Sequence, residues 1–502
     1  MTSLEVAGVY VAVNMLLLIY LAFRVVSVRQ SAKVSVGTGG NEMLELRTRV
    51  HGNATEYIPS MLVGLVILAL MGLPAWAIHV AGGVFTLGRL MHVIGLGGTI
   101  MAMRAGGILL SWIAMVLAGL LDHCRKEGAD AADARIGESE GVSVSVRDGA
   151  LESIEREEGR SVALRCLYGK RQAHVSGADL SPEGLKALAE RCVAMARAVP
   201  EDKYCGLPDA DKLATGDLDM DLTGEPEISA DILESEARTA EAAALGIEGI
   251  KTVAGCGASW NRSSRWVAAS NGFSAFKTGT STSLGLAAVA ERDGHMERDY
   301  DSWSVRFKKD RPTAAEIGIT AGERTISRLG SRKLNTQKAA VLYDRRVSAG
   351  LIGAFLGAIS GPSVARGVSF LKDRMGEQVF ADGIHIIDDP FRPMGMGSRS
   401  HDGEGLPVQE THLIDNGRLT SWLLNSSSAR QLGMEPNGFS ALGFGDPPGV
   451  TTSNLYLKAG DKTPGELVKG AGKGLLVTDM FGPSINPNNG DYSVGVSGFW
   501  FE

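Results

Sequence analysis

Apolar residues dominate the first 121 positions in four long runs. Leu4 to Phe23 is broken only by Glu5 and Asn14; Tyr57 to Leu73, Ala75 to Ile94 and Ile100 to Leu121 follow, divided by Gly72-Leu73-Pro74 and Gly95-Leu96-Gly97-Gly98. About 20 apolar residues suffice to cross the ~30 Å hydrocarbon layer of a bilayer, so the pattern predicts four membrane-spanning helices. The first run has no basic residue ahead of it and no small-residue cleavage site, so it is expected to remain as a helix and not to be removed as a signal peptide. After Leu121 the character changes at once to Asp122-His123-Cys124-Arg125-Lys126-Glu127, and no comparable apolar run recurs.

From there the periodicity is that of a water-soluble α/β body. Ser143 to Arg147 alternates, Asp148-Gly149 is a turn dipeptide, and Ala150 to Ile154 alternates again, which predicts a hairpin. Leu185, Leu188, Ala189, Cys192 and Met195 form one helical face over Pro182 to Ala198, with Ser181 as cap and Pro182 at the first helical position. Pro200 to Pro226 reads as an acidic surface connection, and a second helix runs from about Ile228 to Leu245. Beyond Ile250 the pattern predicts strands at Arg265 to Ser270, Thr282 to Ala290 and Ser302 to Phe307, and helices at Ala314 to Leu329 and Ser348 to Ile359. A hairpin is predicted over Thr411 to Leu424, turned by Asn416-Gly417. No internal repeat is evident.

A chain of 502 residues exceeds what one hydrophobic core serves, so at least two folding units are expected. A net charge of −7 with scattered cations gives no electrostatic footprint for nucleic acid. Cys124, Cys166, Cys192, Cys205 and Cys256 are widely spaced, with no Cys-x-x-Cys pair, and read as small apolar residues of a reducing compartment.

Ionisable residues within membrane helices are costly and are functional candidates by default. Arg49, Asn53 and Glu56, at i, i+4 and i+7, share one side of the helix that becomes the second span, while Arg89 and Arg104 interrupt the third span and the start of the fourth. The plainer reading makes Arg49 and Arg104 interface anchors, pairs Glu56 with one of them and lets Arg89 snorkel.

The stretch Arg49-Val-His51-Gly-Asn53-Ala-Thr-Glu56-Tyr-Ile-Pro59, with Leu87-Gly-Arg89-Leu-Met-His92 downstream, resembles the MAPEG family of eicosanoid and glutathione metabolism over residues 3–121. The resemblance implies trimers of four-helix protomers in which Arg49, Asn53, Glu56, Arg89 and Arg104 contact glutathione. Several Arg forks suit a tripeptide with two carboxylates. No Tyr lies between His92 and Arg104, where some catalytic members place one, so binding is better supported than thiolate activation.

From Leu120 onward the chain resembles the PmbA, or TldE, branch of the TldD/PmbA family. The matching segments are Leu120 to Ala134, Gly206 to Asp209, Ser270-Asn-Gly-Phe273, Met296 to Tyr300, Gly376 to Phe380, Asp388-Asp-Pro390, Asp402-Gly-Glu-Gly405, Gly490 to Ser493 and Gly498-Phe-Trp500. The resemblance implies a non-catalytic half of a heterodimer with a TldD-like zinc peptidase, whose own helix carries His-Glu-x-x-x-His. Here the equivalent helix, Val347 to Ser360, has no His, Glu, Asp or Cys, so no metal is expected in it. His385, His401 and His412 are the remaining clustered histidines and are expected to be solvated or structural. No Gly-x-Ser-x-Gly elbow appears, and no catalytic residue is assigned.

The expected architecture is multi-domain: a four-helix transmembrane bundle over 1–121, then a soluble α/β (α+β) body with an N-terminal domain over 122–226 and a central and strand-rich C-terminal part over 227–502. Family members usually continue past the Gly-Phe-Trp motif, so the last closing strands are expected to be missing. The first functional reading is a PmbA-like partner subunit tethered in the lipid bilayer of a bacterial inner membrane, multi-pass, with glutathione binding in its anchor. The alternatives are a glutathione-dependent membrane transferase or peroxidase with an appended body, and an artefactual joining of two neighbouring coding regions. Arg24, Arg29, Lys33, Arg47 and Arg49 would hold the first loop in the cytoplasm, and four spans would then put both chain ends outside. PmbA-like proteins work in the cytoplasm, so the body is nonetheless expected there.

Overall fold

A computed structural model describes residues 1–34, 41–98, 113, 116–216 and 218–502. The chain divides into two compact units, one of Met1–Ile136, Ser161–Glu201 and Trp266–Phe276, the other of Gly137–Arg160, Asp202–Arg265 and Lys277–Glu502.

In the first unit, helices α1 (Ser3–Ala32), α2 (Glu42–Leu70) and α3 (Ala75–Gly98) pack around Val6, Leu21, Ile58, Leu65, Ile78 and Phe85. Segments Ser3–Ala32 and Met43–Leu70 are long and apolar enough to cross a membrane. Both outrun the expected spans. Capped by Thr2, α1 continues past Phe23 through Arg24 to Ala32, and α2 starts at Glu42 because the Asn41 side chain accepts the Leu44 N–H at 2.9 Å. A fourth helix, α4, covers 116–126. It runs unbroken through Asp122, so the apolar region passes into the polar body on a single helix. The upstream part of the expected fourth span, with Arg104, lies outside the described residues.

The rest of this unit is built on one end of a six-stranded sheet of order β3-β2-β1-β4-β5-β6, in which β1 is Ala131–Arg147, β2 Ala150–Tyr168, β3 Arg171–Gly177, β4 Ile250–Ala269, β5 Ser274–Arg292 and β6 His295–Val305. Helix α5 (Pro182–Ala198) lays its Leu185, Leu188, Ala189, Cys192 and Val193 on Val162, Leu164 and Cys166. Its start follows the expectation: Ser181 Oγ accepts the Gly184 N–H at 3.1 Å and Pro182 opens the helix.

In the second unit the β1–β2 turn is Asp148-Gly149, with φ of 53° and 71°, the mirror-image turn that the dipeptide predicts. Glu241 of helix α6 (Ala230–Leu245) accepts both turn N–H groups, at 2.8 and 2.9 Å. Helix α7 (Ala314–Ser327) crosses α6 so closely that a Cβ on Gly318 would run into the Ala240 carbonyl oxygen. Strands β4 and β5 are longer than expected, since their interleaved Ser, Thr and Gly residues hide the alternation at their ends, and β6 begins earlier, through the charged run His295 to Asp301.

The C-terminal part holds β7 (Ala340–Tyr343), helices α8 (Arg345–Ala358) and α9 (Gly361–Ala365), and a four-stranded sheet of order β10-β9-β8-β13, where β8 is Ile386–Asp388, β9 Thr411–Asp415, β10 Arg418–Leu419 and β13 Leu455–Leu457. Helix α10 (Ser426–Leu432), the short pair β11 (Ser440–Ala441) and β12 (Gly449–Val450), helix α11 (Pro464–Ala471), and strands β14 (Gly474–Ile485) and β15 (Tyr492–Phe501) complete it. The hairpin expected over Thr411 to Leu424 is real but short. After Leu419 the chain leaves the sheet, and Leu423 bonds instead to the α8–α9 junction, giving its N–H to Ile359 at 3.0 Å and accepting from Gly361 at 2.8 Å.

Candidate functional site

The membrane-helix candidates do not all converge. Asn53 and Arg89 do: Arg89 Nη1 donates to Asn53 Oδ1 at 3.1 Å, and its guanidinium lies 5.2 Å from the Tyr57 ring centroid and 5.7 Å from that of Phe85. Arg89 is 1% exposed, and among the described residues its Nε and Nη2 have no hydrogen-bond partner. It is therefore a buried cation, where the snorkelling reading expects a solvated one. Arg49 turns away to Glu45, one turn back, at 2.8 Å, and Glu56 is exposed. Tyr57 and Phe85 were not among the expected residues, although Tyr57 is four residues after Asn53 and Phe85 four before Arg89, which places each on the same helical side as its neighbour.

In the body, α8 covers the segment for which the resemblance implies the metal-binding helix of a TldD-like chain. Its side chains over Val347 to Ala358 offer no metal donor, so they do not fit a zinc ion. Gly350 meets Met480, but Gly353 and Gly357 have no heavy atom of the described residues within 4 Å of where a Cβ would stand, so among these residues that face is open. The helix is held by charge at its start. Asp344 caps it, accepting the Arg346 N–H at 2.9 Å, and Arg346 reaches Asp299 of β6 at 2.8 Å, where Arg328 adds a second contact at 3.3 Å. These guanidinium groups and the Tyr300 N–H hold the Asp299 carboxyl below its ordinary value against the opposing effect of burial.

The Asp402-Gly-Glu-Gly405 segment forms a buried polar knot. Asp402 Oδ1 accepts the N–H groups of Glu404 and Leu406, both at 2.9 Å, and Oδ2 accepts that of Ser440 at 3.1 Å; Glu404 accepts the Ser426 N–H at 2.9 Å. Burial and the neighbouring Glu404 push the Asp402 carboxyl up to about 7. Asp388 is fixed in the same manner by Ser453, whose N–H and Oγ donate at 2.7 and 2.8 Å. These bonds turn the carboxylates to backbone N–H groups and a hydroxyl of the fold, which is the work of a scaffold.

The histidines separate. His401 bonds to the Asp402 carbonyl at 2.9 Å, whereas His385 and His412 meet at Asp415. All five cysteines are buried and none is in a disulfide, in line with their reading as small apolar residues.

Family models match in four consecutive blocks: the MAPEG family over 7–121, then PmbA/TldA metallopeptidase domain 1 over 132–196, the central domain over 223–329 and the C-terminal domain over 336–502. The Metalloprotease PmbA of Escherichia coli O157:H7 is 32% identical over 375 residues, 74% of this chain and 81% of that one. Inner membrane protein YecN of Escherichia coli K12 is 36% identical over 112 residues, 22% of this chain and 86% of that one. The crystal structure of TldE from Thermococcus kodakarensis superposes with a TM-score of 0.67 at 21% identity, covering 76% of this chain and 86% of that one, a likeness of fold. The MAPEG segment and its inner-membrane relative make this a membrane protein. The chain belongs to the PmbA/TldD metallopeptidase family and carries a MAPEG-family domain at its N-terminal end.

Proposed function

We propose that the chain is a membrane-anchored, non-catalytic subunit of the PmbA/TldE type, which supplies half of a peptidase whose zinc and water-activating residues come from a TldD-like partner. One observation carries the reading: α8 lies in the segment that matches a metallopeptidase C-terminal domain, yet from Val347 to Ala358 it holds no side chain able to bind zinc. Hydrolysis by a bound metal needs donors to fix the ion and an open position for water, and this helix provides none. The open Gly353–Gly357 face admits a partner's backbone where bulkier residues would keep it away. In this reading residues 1–121 are a four-helix anchor, 122–226 and 227–502 are the body, and the body is cytoplasmic. The test is peptide hydrolysis by the full chain with and without a TldD-like protein of the same host.

A second reading concerns the anchor, and the burial of Arg89 favours it. A guanidinium whose Nε and Nη2 have no partner among the described residues, beside Asn53, is suited to a carboxylate, and glutathione has two. Arg49, Glu56 and Arg104 would complete such a site in a homotrimer. Glutathione should then raise the thermal midpoint of the full-length protein in detergent, by mass action equivalent to about 2.7 kcal/mol at 100 times its Kd. Arg89→Leu and Arg104→Leu should each abolish the rise. Equal rises in wild type and both variants would return these residues to the role of anchors.

A further inference from the structure

The β9–β10 hairpin brings together three side chains that the sequence keeps 27 and 3 residues apart. His385, just before β8, and His412 and Asp415, on β9, offer ligand atoms that all lie within 4.8 Å of one another. Asp415 Oδ1 is 2.9 Å from His385 Nδ1 and 3.4 Å from His412 Nδ1, and the two imidazole rings stand nearly perpendicular, at 83°, with centroids 6.3 Å apart. Ligands around a tetrahedral Zn²⁺, each about 2.0–2.1 Å from the ion, stand roughly 3.4 Å from one another, so the two separations from Asp415 are already close to what the ion requires.

We infer that His385, His412 and Asp415 form a binding site for a divalent transition-metal ion of the zinc class, separate from the ligand-free helix α8. The donor set is right for such an ion, since imidazole nitrogen with one carboxylate suits zinc and nickel and is wrong for calcium or magnesium. The nitrogens are also presented correctly. His385 Nδ1 and His412 Nδ1 face the same oxygen, Asp415 Oδ1, so an ion that displaces the protons shared with that carboxylate meets all three donors.

The platform beneath is packed. Ile386, Leu413, Ile414 and Leu419 are fully buried, and the Asn416-Gly417 turn, with φ of 45° and 78°, fixes where Asp415 ends and β10 begins. Meanwhile the three ligands are partly exposed, with side-chain exposures of 24%, 43% and 54%, so an ion can enter from solvent and a fourth position stays open for water or a donor from another chain.

The test uses the full-length protein, without a histidine tag, extracted in detergent, stripped with chelator and titrated with Zn²⁺ by calorimetry. One ion should bind per chain. His412→Ala and Asp415→Asn should each weaken binding at least about tenfold, while His401→Ala should bind as wild type does. Co²⁺ should report the same site in the unaltered protein, giving the visible absorption of a four- or five-coordinate ion that Zn²⁺ displaces. Absence of Zn²⁺ binding by the wild type, unchanged affinity in His412→Ala and His385→Ala, or only the spectrum of hexaaquo Co²⁺ would overturn the assignment.

Discussion

Replacing Asp133 by Asn is expected to destabilise the first unit by about 3–5 kcal/mol, the cost of removing one partner from a buried ion pair. Asp133 and Arg135 lie on the same side of β1, and Arg165 comes from the neighbouring β2; the three are 2%, 1% and 2% exposed. Asp133 Oδ1 lies 3.1 Å from Arg135 as an ion-pair contact, and Oδ2 accepts a hydrogen bond from Arg165 Nε. Asn keeps the shape and removes the charge, so the shape of the core is preserved while two buried guanidinium groups lose their shared anion. Denaturant midpoints of the full-length protein, with Glu158→Gln as an exposed control expected to change stability by less than about 0.5 kcal/mol, measure the effect. A loss in Asp133→Asn no larger than in the control would show that the carboxylate is not what neutralises this pair.

A second large effect is expected at Asp402, and it should depend on pH. Asn at this position can still accept the Glu404 and Leu406 N–H groups through its oxygen, but its NH₂ must then face the Ser440 N–H that Oδ2 accepts at 3.1 Å. Two donors left face to face in a buried site should cost about 1–3 kcal/mol. The folded protein holds the Asp402 proton up to about 7, above the ordinary ~3.9 of an unfolded chain. A carboxyl with a raised folded value contributes stability that is complete below the unfolded value and is lost as pH rises through the folded one. The advantage of wild type over Asp402→Asn should therefore be greatest near pH 4 and shrink towards pH 7 and above. Urea midpoints of both proteins at pH 5 and 7.5 read this directly; an advantage that grows with pH would mean that the three N–H donors, and not burial, set the state of the carboxyl.

What could be read along the chain was local. The α5 start is written in Ser181-Pro182, the β1–β2 turn in Asp148-Gly149, and the anchor in the apolar runs, because each depends on neighbours within a few residues. The ends of β4 and β5 were not legible, since Ser, Thr and Gly there are made extended by strand pairing and not by an apolar rhythm of their own. The same limit applied to the sites. Asn53 and Arg89 are 36 residues apart and Asp133 and Arg165 32 apart, and each pair exists only after helices or strands pack. His385 and His412 read, with His401, as clustered but solvated or structural histidines, because the shift in register at Ile386–Ile387, which sets β8 against β9, leaves no mark in composition. Family resemblance supplied what periodicity could not, namely that α8 is the place to look for metal ligands.

The central claim is that this membrane-bound chain is half of a peptidase and supplies no chemistry of its own. The most direct test is hydrolysis of an unstructured peptide by the full-length protein, extracted from the membrane fraction of its host, alone and after addition of a purified TldD-like protein. Zinc content does not discriminate, because the His385–His412–Asp415 site would bind zinc without cutting peptides, so cleavage is the quantity to measure. The account predicts no cleavage by the chain alone, and chelator-sensitive cleavage by the mixture above that of the TldD-like protein by itself. Chelator-sensitive cleavage by the isolated chain, or a mixture no more active than the TldD-like protein alone, would contradict it.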